Sequence, residues 1–183
     1  HYQQALAIAR EMGNRSHEGV ALGNLGDLLY SQGDLPSAES HLRDAIAIGD
    51  ETLPMAAGVF RGSLALIRAQ QGAFDEARAL LHGGEPQVRG VYKLELGKLL
   101  CKKARIEHLA GDPAAAATAL AEAESIAAEL DAGPDSELGQ ALDCVTGPLV
   151  RGEIRKATSR NFDDSLDDTL VNLAGLHHIV ELF

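Results

Sequence analysis

Small and apolar residues recur along this chain at intervals of three and four, the period of an amphipathic helix, in every segment that shows a pattern. HYQQALAIAR at the start and HLRDAIAIGD from His41 carry the same arrangement: His1 matches His41, Ala5 matches Ala45, Ala7 matches Ala47 and Ile8 matches Ile48, each pair forty residues apart. The periodicity predicts an all-α chain with helices near 2–12, 17–32, 35–50, 55–71, 74–82, 88–110, 113–130 and 136–145. Gly83, Gly84 and Pro86 are expected to cut the fifth helix short, and a long sixth helix is expected to compensate.

The repetition extends beyond the opening pair. Gly33, Gly72 and Gly111 are spaced by 39, in SQGDLPSAE, AQQGAFDEA and HLAGDPAAA. Gly26, Ala65 and Ala104 precede these glycines by seven; Ala38, Ala77 and Ala116 follow by five. Leu42, Leu81 and Leu120 follow by nine, and Ala45, Gly84 and Ala123 by twelve. Five registers held over three repeats describe a helix hairpin. A first helix carries a small residue at its middle, a glycine turns the chain, and a second helix lays small residues against the first so that the axes approach closely. Asp112 with Pro113 suits the start of such a second helix, since the carboxylate accepts backbone N–H groups and proline loses no needed donor there. Asp34 with Pro36 is a looser version of the same start.

Composition agrees. Aromatics make up only 4% of the 183 residues and tryptophan is absent, so Ala and Leu must supply the core, which suits close-packed helices better than a β-sandwich. The net charge of −11 disfavours nucleic acid as the main partner, because that binding rests on clustered Lys and Arg. Two cysteines without metal-ligand spacing point to reduced thiols in a cytoplasmic compartment, and no apolar run is long enough to cross a membrane. The chain starts inside a repeat without Met, and is expected to be a piece of something longer.

The order small residue, Gly turn, Ala, Leu, Ala resembles the tetratricopeptide repeat, an antiparallel helix pair that stacks into a superhelical solenoid. The usual period is ~34 residues; the longer one here is similar to a subclass of about 40 residues seen in bacterial signalling proteins and animal polarity adaptors. HEAT-type pairs share that period, but the small-residue sites favour the tetratricopeptide pattern. The resemblance covers residues 1–146, as about three and a half repeats. It implies a non-catalytic protein-interaction module, a scaffold that takes a peptide or partner helix in its concave groove. The alternative is a regulatory arm of a larger bacterial signalling enzyme, a kinase or NTPase, whose catalytic domain lies elsewhere.

Apparent catalytic motifs dissolve on inspection. DDSLD at Asp163–Asp167 matches a diphosphate-binding pattern, but no second acidic motif accompanies it, and acidic residues suit a helix start. His177-His178 lacks a further ligand at i+4 on the same face. GNLGDL lies inside a helical pattern with no strand before it and no GK[ST] after it, so its Gly23 and Gly26 are packing residues. Ser63, Ser125 and Cys101 have no base placed beside them by the pattern. No catalytic site, metal or cofactor is expected.

What remains is a basic row, Lys98, Lys102, Arg105 and His108, on the first helix of the third repeat. In tetratricopeptide arrays the first helices line the groove, and the carboxylate-clamp members hold a terminal carboxylate with two basic residues four apart; Lys98 and Lys102 match that part, whereas Gly23, Asp27 and Ser63 stand where the clamp has its other members. The positive row points to a protein or peptide partner of acidic character, or else is a solvated face paired with acidic neighbours; net charge and the lack of a long apolar run point away from nucleic acid and membrane. Asn24, whose amide can bond an extended peptide backbone, and Tyr30 complete the expected site. Residues 147–160 read as a linker. Residues 161–183 read as an amphipathic helix with Phe162, Leu166, Leu170, Leu173, Leu176 and Val180 in one stripe, capping the array or binding a partner.

Overall fold

The computed structural model describes residues 1–150, and among them every regular element is a helix. In chain order these are α1 (Tyr2–Glu11), α2 (Arg15–Ser31), α3 (Leu35–Thr52), α4 (Pro54–Gln70), α5 (Phe74–Val88), α6 (Lys93–Leu109), α7 (Pro113–Glu129) and α8 (Glu137–Val150). The pairs α2–α3, α4–α5 and α6–α7 are tight antiparallel hairpins, and each stacks on the next to give a solenoid. The first helices α2, α4, α6 and α8 also touch one another across the hairpins. They form the inner layer, and α3, α5 and α7 the outer one. The expectations for residues 151–183, including DDSLD, His177-His178 and the leucine stripe, fall outside the described residues.

The same turn closes all three hairpins. Gly33, Gly72 and Gly111 have φ of +81°, +78° and +79°, left-handed values that a side chain would strain. Around the first, Gly33 N–H bonds Tyr30 O and Asp34 N–H reaches back to Leu29 O, both at 3.0 Å, so the last carbonyls of α2 are satisfied. The same pair of bonds recurs at Gly72 with Ala73 and at Gly111 with Asp112. The following helix is capped where the sequence provides an acceptor: Asp34 takes Ser37 N–H at 3.2 Å and Asp112 takes Ala115 N–H at 2.9 Å. Ala73 offers none, and α5 starts uncapped.

The small-residue registers are contact sites. A Cβ on Gly26 would stand 2.8 Å from Leu42 Cγ, and Ala38, Ala45, Ala77 and Ala123 have no exposed surface. Between hairpins, a Cβ on Gly23 would stand 2.1 Å from the Phe60 ring, and one on Gly62 would stand 2.4 Å from Leu99 Cδ1. Phe60 and Leu99 are themselves 39 apart, so each inner helix drives one large side chain onto a glycine of the helix before it. The glycines of GNLGDL are thus packing residues.

The fifth and sixth helices differ from expectation. Helix α5 continues through Gly83, Gly84 and Pro86 to Val88, and α6 begins only at Lys93. Gly84 is not a breaker here but the point where two backbones meet: a Cβ on it would stand 2.8 Å from Gly58 O. Packing against α4 outweighs local propensity, and Pro86, in the last turn, forfeits one helical bond. A turn with Gly90 at φ +83° then leads into α6. At the other end α8 extends to Val150, into the stretch read as a linker.

Adjacent hairpins are also joined by a reversed pair of charges. Glu39 of α3 bonds Arg68 of α4, and 39 residues on, Arg78 of α5 bonds Glu107 of α6, with Arg78 Nη2 to Glu107 Oε2 at 2.6 Å. The same rung is built twice with opposite polarity. A misregistered stack would face like charges, so the rung opposes slippage as well as adding attraction.

Candidate functional site

Repetition places inner-layer residues in columns. Asn24, Ser63 and Lys102 stand 39 apart on α2, α4 and α6, and Lys98 and Glu137 stand 39 apart on α6 and α8. Lys102 Nζ donates to Ser63 Oγ at 2.8 Å, and Ser63 in turn bonds Asp27 of α2. Lys98 Nζ lies 3.0 Å from Glu95 Oε1 and 2.8 Å from Glu137 Oε2. A polar chain therefore runs along the inner layer from α2 through α4 and α6 to α8.

This chain of groups is buried, which corrects the expectation that Lys98 and Lys102 present open charge to a ligand. Their exposures are 3% and 6%, and Asn24, Asp27, Ser63 and Glu95 are buried with them. Burial pulls the Lys98 ammonium down, but Glu95 and Glu137 outweigh it and hold its pKa above the usual lysine value. For Lys102 the balance is opposite: burial dominates over Asp27, and its pKa falls. Burial likewise raises Asp27, against the pull of Lys102 and the bond from Ser63. The row of cations is relieved by carboxylates inside the protein. Asn24, expected to bond an extended peptide in the groove, is buried, and its Oδ1, with Asp27 Oδ2 and Glu95 Oε2, has no hydrogen-bond partner among the described residues.

The remaining candidates are open. Arg105, one turn beyond Lys102, is half-buried and has no hydrogen bond or salt bridge among the described residues. Its guanidinium acts electrostatically on Tyr30 of α2 and on Cys144 of α8, so it reaches the middle of the inner face. Tyr30 is half-buried; burial raises its pKa, with Arg105 opposing. Its Oη accepts from Gln70 Nε2 of α4 at 2.6 Å, which leaves the phenolic hydrogen available to donate. His108 is exposed at the end of α6. Three inner helices thus contribute Tyr30, Gln70 and Arg105 to one donor-rich spot. A guanidinium fork beside a phenol is suited to a carboxylate, which it can hold with two parallel bonds.

Among the described residues no three His, Cys, Asp or Glu side chains gather as a metal site. The Cys101 thiol is buried and pushed up to about 12, so it stays protonated at neutral pH. No described helix is long and apolar enough to cross a membrane.

Pairing of the row with acidic neighbours is the alternative that its charge pattern left open, with the particular carboxylates unnamed. Asp27, Glu95 and Glu137 went unassigned, although the 39-residue column pairs Lys98 with Glu137 and the i, i+3 spacing pairs it with Glu95. Two tetratricopeptide-repeat profiles match the chain, one over residues 1–51 and the other over residues 58–82. A search of curated proteins found no match.

Proposed function

The chain belongs to the tetratricopeptide-repeat family, and from that premise we propose that it is a non-catalytic interaction module whose inner layer holds an acidic or carboxylate-bearing segment of a partner protein. The observation that carries this reading is Arg105. A half-buried guanidinium without a carboxylate partner among the described residues has lost part of its hydration without gaining an ion pair there, a cost that an incoming carboxylate offsets. Tyr30 adds a second donor from a different hairpin, so the ligand bridges repeats, and His108 extends the basic edge toward the end of α6. Lys98, Lys102 and Asn24 lie buried in the same inner layer, the two lysines already balanced by Glu95, Glu137 and Asp27, so the ligand's charge falls to Arg105.

One charge-assisted contact of this kind contributes about 1.5–3 kcal/mol, roughly a ten- to hundredfold change in affinity, and that contribution falls with salt. The test is a peptide array of acidic, neutral and basic sequences, each with free and amidated C-termini, probed with the full chain. Acidic peptides should be retained, and Arg105→Gln should release them while leaving the melting temperature unchanged. Equal retention of acidic and basic peptides, or an Arg105→Gln profile identical to the wild type, overturns the assignment.

A further inference from the structure

Among the described residues, every Lys and Arg except Lys102 and Arg105 stands in a salt bridge, and Lys102 is faced by Asp27. Arg105 alone of them has no carboxylate against it. The spot it shares with Tyr30 and Gln70 also has an apolar border: Leu109, one turn beyond Arg105 on the same side of α6, is 40% exposed. The rest of residues 1–150 is poor ground for an acidic segment, because carboxylates outnumber Lys and Arg there.

The same chain carries a segment of matching chemistry. Asp163, Asp164, Asp167 and Asp168 put four carboxylates within six residues, with no Lys or Arg among them, and the apolar Phe162 and Leu166 stand beside and between them in sequence. This run is tethered close to the spot. Helix α8 packs on α6, Cys144 of α8 lies within electrostatic reach of Arg105, and α8 ends six residues later at Val150. Six helical residues carry the chain ~9 Å beyond Cys144. Residues 151–162 can span up to ~40 Å, so the run reaches back to Arg105 with slack.

We propose that a carboxylate of the Asp163–Asp168 run occupies the Arg105–Tyr30 spot of its own chain, so that a partner's acidic segment binds only by displacing it. The proposal rests on the carboxylate reading of that spot and adds its regulation. Charge complementarity selects the spot, since the other cations of the array are already neutralised, and the tether supplies the advantage over a partner. A tether of this length holds the run near Arg105 at an effective concentration on the order of 1 mM. For a run that binds at ~0.1 mM when detached, a competing peptide loses about tenfold in apparent affinity.

The test uses the full chain, with a synthetic peptide of residues 160–170 as the probe. One variant carries Asp163→Asn, Asp164→Asn, Asp167→Asn and Asp168→Asn together. Without peptide, the 15N spectra of wild type and variant should differ at the amides of Tyr30, Gln70 and Arg105, and the difference should vanish when both chains also carry Arg105→Gln. The peptide should bind the variant about tenfold more tightly than the wild type. Unchanged spectra at these three residues, or equal affinities, overturn the proposal. If the peptide then binds both chains and loses both with Arg105→Gln, the carboxylate reading of the spot survives; if it binds neither, that reading falls as well. A dimer in sedimentation that the four Asn substitutions dissociate also overturns the proposal, because the run would then sit on a second copy.

Discussion

Replacing Lys98 by Met strands a carboxylate. Lys98 and Glu95 have side-chain exposures of 4% and 1%, so solvent does little to screen either, whereas Glu137, the second partner, is 32% exposed and can turn to water. The damage therefore falls on Glu95, one of whose oxygens already lacks a hydrogen-bond partner among the described residues. Breaking a buried pair by removing one partner costs about 3–5 kcal/mol. At ~2–4 °C per kcal/mol for a chain of this length, the melting temperature should fall by about 6–20 °C. Far-UV circular dichroism at 222 nm, with urea unfolding as a second measure, reads this directly. Adding Glu95→Gln removes the stranded charge and should recover more than half of the loss. A Lys98→Met melt within ~2 °C of wild type would refute the buried pair. A double variant no better than the single one would show that the loss came from packing instead.

Gly23→Ala should destabilise by about 1–3 kcal/mol, since the new methyl meets the Phe60 ring, whereas Gly33→Ala, with open space around it but a left-handed φ, should cost about 1 kcal/mol; paired urea titrations separate the two. Exchanging the rung, Glu39→Arg with Arg68→Glu, should restore most of what either single change loses, and a double-mutant cycle should read a coupling of about 0.5–1 kcal/mol. Acid should weaken the fold. Bonds from Arg10 to Glu18, from Ser37 to Asp34 and from Arg61 to Asp50 hold these carboxyls below their ordinary values of 4.5, 3.8 and 3.8. Such groups contribute stability that is present above their unfolded pKa and lost as pH falls through the folded one, so melting should be flat from neutral pH to about 5 and decline below 4.

The architecture was legible because it rests on residues whose absence of side chain is the signal. Gly33, Gly72 and Gly111 must adopt left-handed backbone, and Gly26 must admit Leu42, so spacing alone located the turns and the crossings. The same residue type misled at Gly83 and Gly84, where backbone-to-backbone contact with Gly58 keeps α5 helical; a turn and a crossing leave the same letter in the sequence. The candidate site was legible in part. Arg105, Tyr30 and His108 lie half-buried or exposed on the inner side, while Lys98, Lys102 and Asn24 are buried beneath. Helical spacing shows which residues share a face, but not whether the carboxylates that neutralise them stand on the next helix. Glu95 stands three residues from Lys98 on the same helix, Glu137 stands 39 away, and Lys102 meets Asp27 two hairpins back, with Ser63 at 39 between them; pairing along columns finds Glu137 and Ser63.

Chemical-shift mapping on the full 15N-labelled chain tests the proposal that Arg105 and Tyr30 on the inner layer take a carboxylate-bearing segment. Titration with an acidic peptide selected from the array should move the amides around Tyr30, Gln70, Arg105 and His108, on α2, α4 and α6, and Arg105→Gln should reduce those shifts at every peptide concentration. Shifts confined to the outer helices α3, α5 and α7, or inner-layer shifts that Arg105→Gln leaves intact, would contradict it.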